Sequence, residues 1–371
     1  MIENISRNGV KIKWLTDMPP AQSKFALLIP QYNEASSCDF EKRMAYFGEL
    51  SGKYKNEVDV ILIDDGSTDD SLKKIKCFLD SRHVPLHVAS VHPNANKVGA
   101  LFLAALSISH EFVILSDFDT DIENMEKVGS LVHILQQDDD LMGCYFRMIP
   151  HDGKGHVFLF QQMEYSLLRS LYTFHRHEKS VTVMPGAGSL FKRDVLISIY
   201  SEHSGFRNGE DREATQIGHK LGYKALYVDH ILALTRPPLS LKALIRQRVR
   251  WNLGYLETFL KEKKYYLGQA VRFTKMGIRL WIDLFVFSFL LLLPALIITL
   301  VVIRPQNLFP ALVGIYLLCL TLNAYLLLVS PKETNEIRGK GILLIFLYPF
   351  MKLTVDYCGW MGAVMKMLKK K

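Results

Sequence analysis

Two carboxylates two residues apart, in Asp117-Phe118-Asp119, follow directly on the apolar run 112–115 (FVIL). Hard oxygen ligands at that spacing past a strand end suit Mg2+ or Mn2+, and those ions in turn suit a diphosphate. Two further polar clusters end apolar runs in the same way. Gln31-Tyr32-Asn33-Glu34 follows 25–29 (FALLI), which Pro30 stops, and Asp64-Asp65-Gly66-Ser67 follows 58–63 (VDVILI). For the last cluster an Asx-turn capping a helix that starts near Thr68 is the competing account. Downstream, Gly209-Glu210-Asp211 places a carboxylate pair after the segment 201–208. Such a carboxylate is a general base for group transfer to a hydroxyl, or simply the acidic N-cap of a helix over 212–221. Gln247-Arg248-Val249-Arg250-Trp251 sets an amide, two guanidiniums and an indole on one helix turn. Arginine binds phosphate oxygens bidentately and an indole face stacks on sugar rings. An interfacial Trp beside snorkelling arginines is the alternative.

The elements that must position these groups alternate between strand and helix patterns, with a helix such as 71–79 between apolar runs. That alternation predicts an α/β fold with a parallel sheet covered on both faces. In such sheets ligands bind beyond the carboxyl ends of the strands, so the three clusters are expected to converge on one crevice.

The composition changes at the C-terminus. Residues 280–303 carry one ionisable group, Asp283, and 308–329 carry none, so each is long enough to cross a bilayer. A third run, 341–365, holds Pro349, Lys352 and Asp356, the last two spaced to pair across one helical turn. Lys332, Arg338 and Lys340 before it, and Lys366 and Lys369 to Lys371 after it, favour the cytoplasm on both sides. The run is then re-entrant or interfacial, with a third full span as the alternative. Residues 1–24 are too polar for a leader or a span, which leaves 1–240 as a cytoplasmic domain. Between 236 and 279, eleven basic residues face only Glu257 and Glu262, a surplus larger than the net +8 of the whole chain. It reads as a collar for anionic headgroups rather than a nucleic-acid site, since nucleic acid accounts for neither the spans nor the carboxylates.

Taken in order, the motifs resemble the family-2 inverting glycosyltransferases with the GT-A fold, in particular the membrane-embedded branch of cellulose, chitin and hyaluronan synthases and ceramide glucosyltransferase. Besides the clusters above, Asn96-Lys97-Val98-Gly99-Ala100 and Gly186-Ala187-Gly188-Ser189 carry the likeness, which covers 25–255. The resemblance implies that Tyr32, Glu34 and Asp65 hold the base and ribose of a nucleotide sugar, with Asp65 reading uracil, and that Lys97 meets the diphosphate. It implies Asp117 and Asp119 as the nucleotide and metal motif, with Asp119 the direct ligand, and Asp211 as the base, beside Glu210. Gln247, Arg250 and Trp251 match the QxxRW signature at diphosphate and acceptor, with Arg248 as a second guanidinium.

Three parts are expected: a GT-A catalytic domain over 1–240, basic interfacial helices over 241–279, and a membrane region over 280–371. The expected activity is transfer of a sugar from a nucleotide sugar, a UDP-sugar first, to a lipid-linked or membrane-held glycan, with Mg2+ or Mn2+, at a bacterial inner membrane. A processive polysaccharide synthase and a non-catalytic binding subunit are the alternatives, and homo-oligomers or other polysaccharide-assembly proteins are the expected partners. The donor pocket is placed around 143–190, and the amphipathic 157–172 beside the acceptor or in a plain core. Cys38, Cys77, Cys144, Cys319 and Cys358 form no CxxC pair, which excludes a zinc ribbon and fits a reducing compartment. His175 and His177 are surface or packing residues.

Overall fold

The computed structural model describes residues 5, 9–19, 23–37, 39–174, 181, 183–205, 207–329 and 339–369. Cys38, the pair His175 and His177, the loop lysine Lys332 with Arg338, and the terminal Lys370 and Lys371 lie outside them. Contacts group the chain into two compact units, Met1–Met148 with His177–Thr235, and Ile149–Arg176 with Arg236–Lys371.

The first unit opens with β1 (Lys11–Trp14), β2 (Phe25–Gln31), α1 (Phe40–Lys53), β3 (Val58–Asp64), α2 (Ser71–Ser81), β4 (His87–His92), α3 (Asn96–Ser107), β5 (Phe112–Leu115), β6 (Thr120–Glu123) and α4 (Val132–Gln137). The strand β7 (Leu141–Pro150) leads to α5 (His156–Phe174) of the second unit. The chain then returns through β8 (Ser189–Lys192), α6 (Arg193–Glu202), α7 (Glu210–Lys220) and β9 (Lys224–Thr235).

Nine strands form one sheet in the order β1-β4-β3-β2-β5-β8-β7-β9-β6. The β4-β3-β2-β5 block is parallel, as expected from the alternating pattern. The rest departs from it: β1 on β4, β8 on β5 and on β7, and β6 on β9 are antiparallel. Of these strands β1, β6 and β8 are short and β9 carries polar residues, whereas β7 holds the continuous buried apolar run Leu141–Phe146. Every residue of β2, β3 and β5 is buried. Phe40, Met44 and Phe47, spaced along one face of α1, join Leu27, Ile29, Val60 and Leu62 in the core.

Pro30 does not stop β2, which continues to Gln31 opposite Asp64. Leu28 accepts from Ser116 N–H on the β5 side and Gln31 accepts from Asp65 N–H on the β3 side. Alternation therefore turns the ring nitrogen of Pro30 toward β5, so its missing N–H ends the β5 ladder at Leu28–Leu115 while the β3 ladder continues.

The second unit adds α8 (Leu241–Lys261), α9 (Lys263–Val271), α10 (Lys275–Ile303), α11 (Leu308–Val329) and α12 (Tyr348–Lys369), the last preceded by a 3-10 helix over Gly339–Phe346. Among the described residues two helices, Lys275–Ile303 and Pro305–Tyr325, are long and apolar enough to cross a membrane. Their large side chains lie open, with Phe285 at 73%, Val302 at 74% and Phe309 at 76% exposure. In water each such side chain forgoes about 1.5–3 kcal/mol of burial. In α12, Lys352 and Asp356 pair at 2.7 Å as their spacing implied. The helix lies close against α8: a Cβ at Gly359 would sit 2.9 Å from Cβ of Arg248, and one at Gly362 would sit 2.6 Å from Val249. The amphipathic α5 is a core helix of this unit, packing Phe160, Met163 and Leu167 with Leu244, Tyr348 and Val355.

Candidate active site

The parallel block brings the carboxyl ends of β2, β3 and β5 to one edge, and side chains bind these ends together. Asp65 N–H donates to Gln31 O at 2.9 Å, and the Gln31 amide donates to the carboxylate of Asp64. Ser67 Oγ accepts from Asn33 N–H at 3.0 Å, and Asn33 Oδ1 accepts from Thr68 N–H at 2.8 Å. The helix α2 begins at Ser71, where Asp69 Oδ1 accepts from Ser71 N–H at 2.9 Å. Asp65 therefore takes no part in capping it. Instead Asp65 crosses to the next loop, accepting from Ala95 N–H at 2.7 Å and from the Asn94 side chain at 2.9 Å. Gly66 makes that approach possible: its φ is +67°, and a Cβ there would lie 2.9 Å from Asn94 N.

A cavity of about 210 Å³ opens here, lined by Tyr32, Asp65, Asn94, Asn96, Lys97, Val98, Arg207 and Glu210. Tyr32 is exposed and Asp65 is buried. Burial pushes the Asp65 carboxyl up to about 6, against the pull of Ala95 N–H and with repulsion from Asp64. A larger cavity of about 260 Å³, bordered by Ser23, Phe25 and Val58, lies at the amino ends of β2 and β3, away from every sequence-derived site residue.

Lys97 joins the two halves of the site. Its ammonium pairs with the carboxylate of Asp117, lies 3.6 Å from Glu210 Oε1, and would stand 2.9 Å from a Cβ on Gly186. Burial alone would lower its pKa, but Asp117 and Glu210 outweigh it and hold the ammonium above its usual range. Asp211 belongs to the first turn of α7, whose N-cap Gly209 adopts φ +65°. Its Oδ1 accepts from Arg212 N–H at 2.8 Å and its Oδ2 from Gly186 N–H at 3.4 Å. It is thus both an acidic helix start and a group facing the cluster. Burial holds Asp211 and Glu210 above the usual carboxylate range, with Lys97 opposing in both cases.

Asp119 is exposed, and its Oδ1 accepts from Thr120 Oγ at 3.2 Å. The surrounding protein and then the Asp117 carboxylate raise its pKa. Glu34 is raised by burial and then by Asp119 and Asp69. Clustered hard oxygens that resist ionising together are a donor set that a divalent cation relieves. Among the described residues no three His, Cys, Asp or Glu side chains form a metal-holding group on their own. Mg2+ fits such a set, since it is usually held by one or two carboxylates together with substrate phosphates.

The QxxRW residues lie on α8, in the second unit. Arg250 and Trp251 are exposed there, whereas Arg248 is buried. Its guanidinium pairs with Glu164 of α5 and stacks 4.3 Å from the Trp251 ring centroid, and Glu164 also receives Lys352 at 3.2 Å. The second guanidinium expected at the diphosphate is thus engaged in a buried ion network, which an exposed-collar reading of the basic run could not foresee.

Three contributors went unnoticed in the sequence. Arg207, within the segment 201–208 that precedes the carboxylate pair, lines the cavity. His203 is buried, accepting from Gly205 N–H at 2.9 Å and donating to Glu210 O at 3.0 Å, so it ties the segment before Asp211 into shape. Arg43 sits beneath the Asp117–Asp119 loop. A detectable signal existed for the last: Arg43 occupies an inward position between Phe40, Met44 and Phe47.

Residues 27–200 match the Glycosyl transferase family 2 model and 130–329 match the Glycosyl transferase family group 2 model, which alone spans more than half of the chain. Chitin synthase 5 of Cryptococcus neoformans is 27% identical over 211 residues, covering 49% of this chain and 11% of the synthase. An N-acetylglucosaminyltransferase of Rhizobium meliloti is 25% identical over 250 residues, covering 63% of this chain and 56% of the transferase. The chain thus spans about a tenth and just over half of these curated relatives. The fold is similar to that of the mannosyltransferase PcManGT from Pyrobaculum calidifontis, solved with GDP-Man and Mn2+, at a TM-score of 0.54 and 17% identity over 99% of this chain and 93% of that one. With family-model matches running through both the carboxylate-bearing strand ends and the QxxRW helix, the chain belongs to the family-2 glycosyltransferases.

Proposed function

We propose that the chain is a membrane-held inverting glycosyltransferase that moves a sugar from a UDP-sugar to a lipid-linked or membrane-held glycan. The observation that carries this reading is that Asp65, Lys97 and Glu210 line one cavity at the strand ends, with Asp117 paired to Lys97 and Asp211 accepting from Gly186 N–H beside that lysine. The names of the chitin synthase and N-acetylglucosaminyltransferase relatives favour N-acetylglucosamine as the sugar. Helices α10 and α11 would cross the bilayer, with the basic residues of α8 and α9 at the headgroups and the catalytic unit on the cytoplasmic face.

In this mechanism Tyr32 and Asp65 receive the base, and Lys97 moves from Asp117 to the donor diphosphate. Asp211 takes the proton from the acceptor hydroxyl as its oxygen attacks the anomeric carbon opposite the leaving group, so a single displacement inverts the configuration. Its raised pKa makes it a stronger base than an exposed aspartate. Mg2+ or Mn2+, held by Asp119 with Asp117 and the diphosphate, would supply charge neutralisation at the departing nucleotide. Arg250 and Trp251, exposed on α8, are assigned to diphosphate and acceptor, with Gln247 beside them.

Transfer of label from radiolabelled UDP-, GDP- and other nucleotide sugars, with membranes and Mn2+, tests the reading. Label in butanol-soluble lipid is expected; label in insoluble or high-mass polymer would instead establish a processive synthase. Label in neither fraction contradicts the proposal.

Asp65 gives a pH dependence. As a carboxylate it accepts the uracil N3–H, and protonation removes that acceptor. Donor affinity should therefore be flat above pH 7 and fall through a pH of about 6, by up to about tenfold per unit. Calorimetric titration with UDP across pH 5–8 reads the effect, and Asp65→Asn should abolish the slope.

A further inference from the structure

We propose that Arg43 is the positioning residue for the metal- and diphosphate-binding loop, clamping the backbone on both sides of Asp119 so that its carboxylate stays aimed at the donor. The proposal rests on the donor-site reading above. Arg43 is 3% exposed, on the inner face of α1. Its Nε–H donates to Phe118 O at 2.6 Å and one terminal nitrogen donates to Thr120 O at 2.8 Å. The other terminal nitrogen pairs with the Asp121 carboxylate. The two residues flanking Asp119 are thereby held through their carbonyls by one planar group, which restricts rotation of the peptide units between them.

The clamp extends one turn along α1. Tyr46 Oη accepts from Ile122 N–H at 2.9 Å, while the Arg43 guanidinium lies over the rings of Tyr46 and Phe47 at 4.8 and 4.7 Å. The rings fix the plane of the guanidinium from α1, and its donors fix the loop. A buried guanidinium with no role would be costly, so its neutralisation by Asp121 and two carbonyls is what the site requires. Lysine cannot replace it: an ammonium is a point donor on a flexible stem, without a fork that spans two carbonyls and a carboxylate in one plane.

The test uses Arg43→Lys and Asp121→Asn in the full chain, in detergent or nanodiscs. Mn2+ affinity in the presence of UDP is read by electron paramagnetic resonance, with donor KM, kcat and Tm read in parallel. Arg43→Lys keeps the charge but loses the fork. It should raise the Mn2+ Kd and donor KM about tenfold and change kcat less than threefold. Asp121→Asn keeps both carbonyl contacts and should raise the Mn2+ Kd about threefold, which carries the test if the lysine variant does not fold. Tyr46→Phe, which loses only the contact to Ile122, should lower Tm with little change in Mn2+ affinity. Lowered Tm with unchanged Mn2+ and UDP affinities in both Arg43→Lys and Asp121→Asn would overturn the proposal and leave Arg43 a packing residue. Wild-type protein that binds no Mn2+–UDP would overturn the donor-site reading, and this inference with it.

Discussion

Asp211→Asn should lower the transfer rate by about 10³-fold or more while leaving the affinity for UDP-sugar within about threefold. The asparagine is nearly isosteric, and its one oxygen can still accept from Arg212 or Gly186 N–H, so the start of α7 and the Gly186 turn should hold. What it cannot do is take a proton. Asp211 is not among the residues lining the cavity at Tyr32, Asp65 and Arg207, which is why donor binding should survive. Single-turnover transfer and calorimetric titration of the same preparation separate the two effects. Equal loss of binding would place Asp211 in the donor site instead.

Asp119→Ala should act on the opposite half of the reaction. Removing the exposed carboxylate should weaken Mn2+-dependent donor affinity by about 100-fold, with metal-free UDP binding almost unchanged. The fold should not suffer. Its loss relieves repulsion with Asp117 and Glu34 and forfeits the contact with Thr120 Oγ at the start of β6, so Tm should change little. Titration of UDP with and without Mn2+ gives the comparison. Retained Mn2+-dependent affinity would remove Asp119 from the metal site.

The parallel half of the sheet was legible because β2, β3 and β5 are buried on both faces and their apolar runs end abruptly in polar clusters. Elements without such runs were not. The short β6 and β8, and β9 with its interrupted burial, depend on partners distant in sequence. Site residues stood out where several polar groups fell together, as at Asp64–Ser67 and Asp117–Asp119. Isolated ones did not: His203 acts through a buried ring between Gly205 and Glu210, and Arg43 through loop carbonyls 75 and 77 positions away. Composition could show that Arg248 is basic, but not that Glu164, 84 residues earlier, would bury it. The pairing of Lys352 with Asp356 was readable because it is local to one helix.

The most direct measurement is an experimental structure of the chain with UDP and Mn2+. Expected is nucleotide density in the cavity, with the base against Tyr32 and Asp65, the diphosphate at Lys97, and the ion at Asp119. Nucleotide bound elsewhere, for example in the larger cavity beside Ser23 and Val58, would contradict the assignment of the strand-end crevice as the donor site.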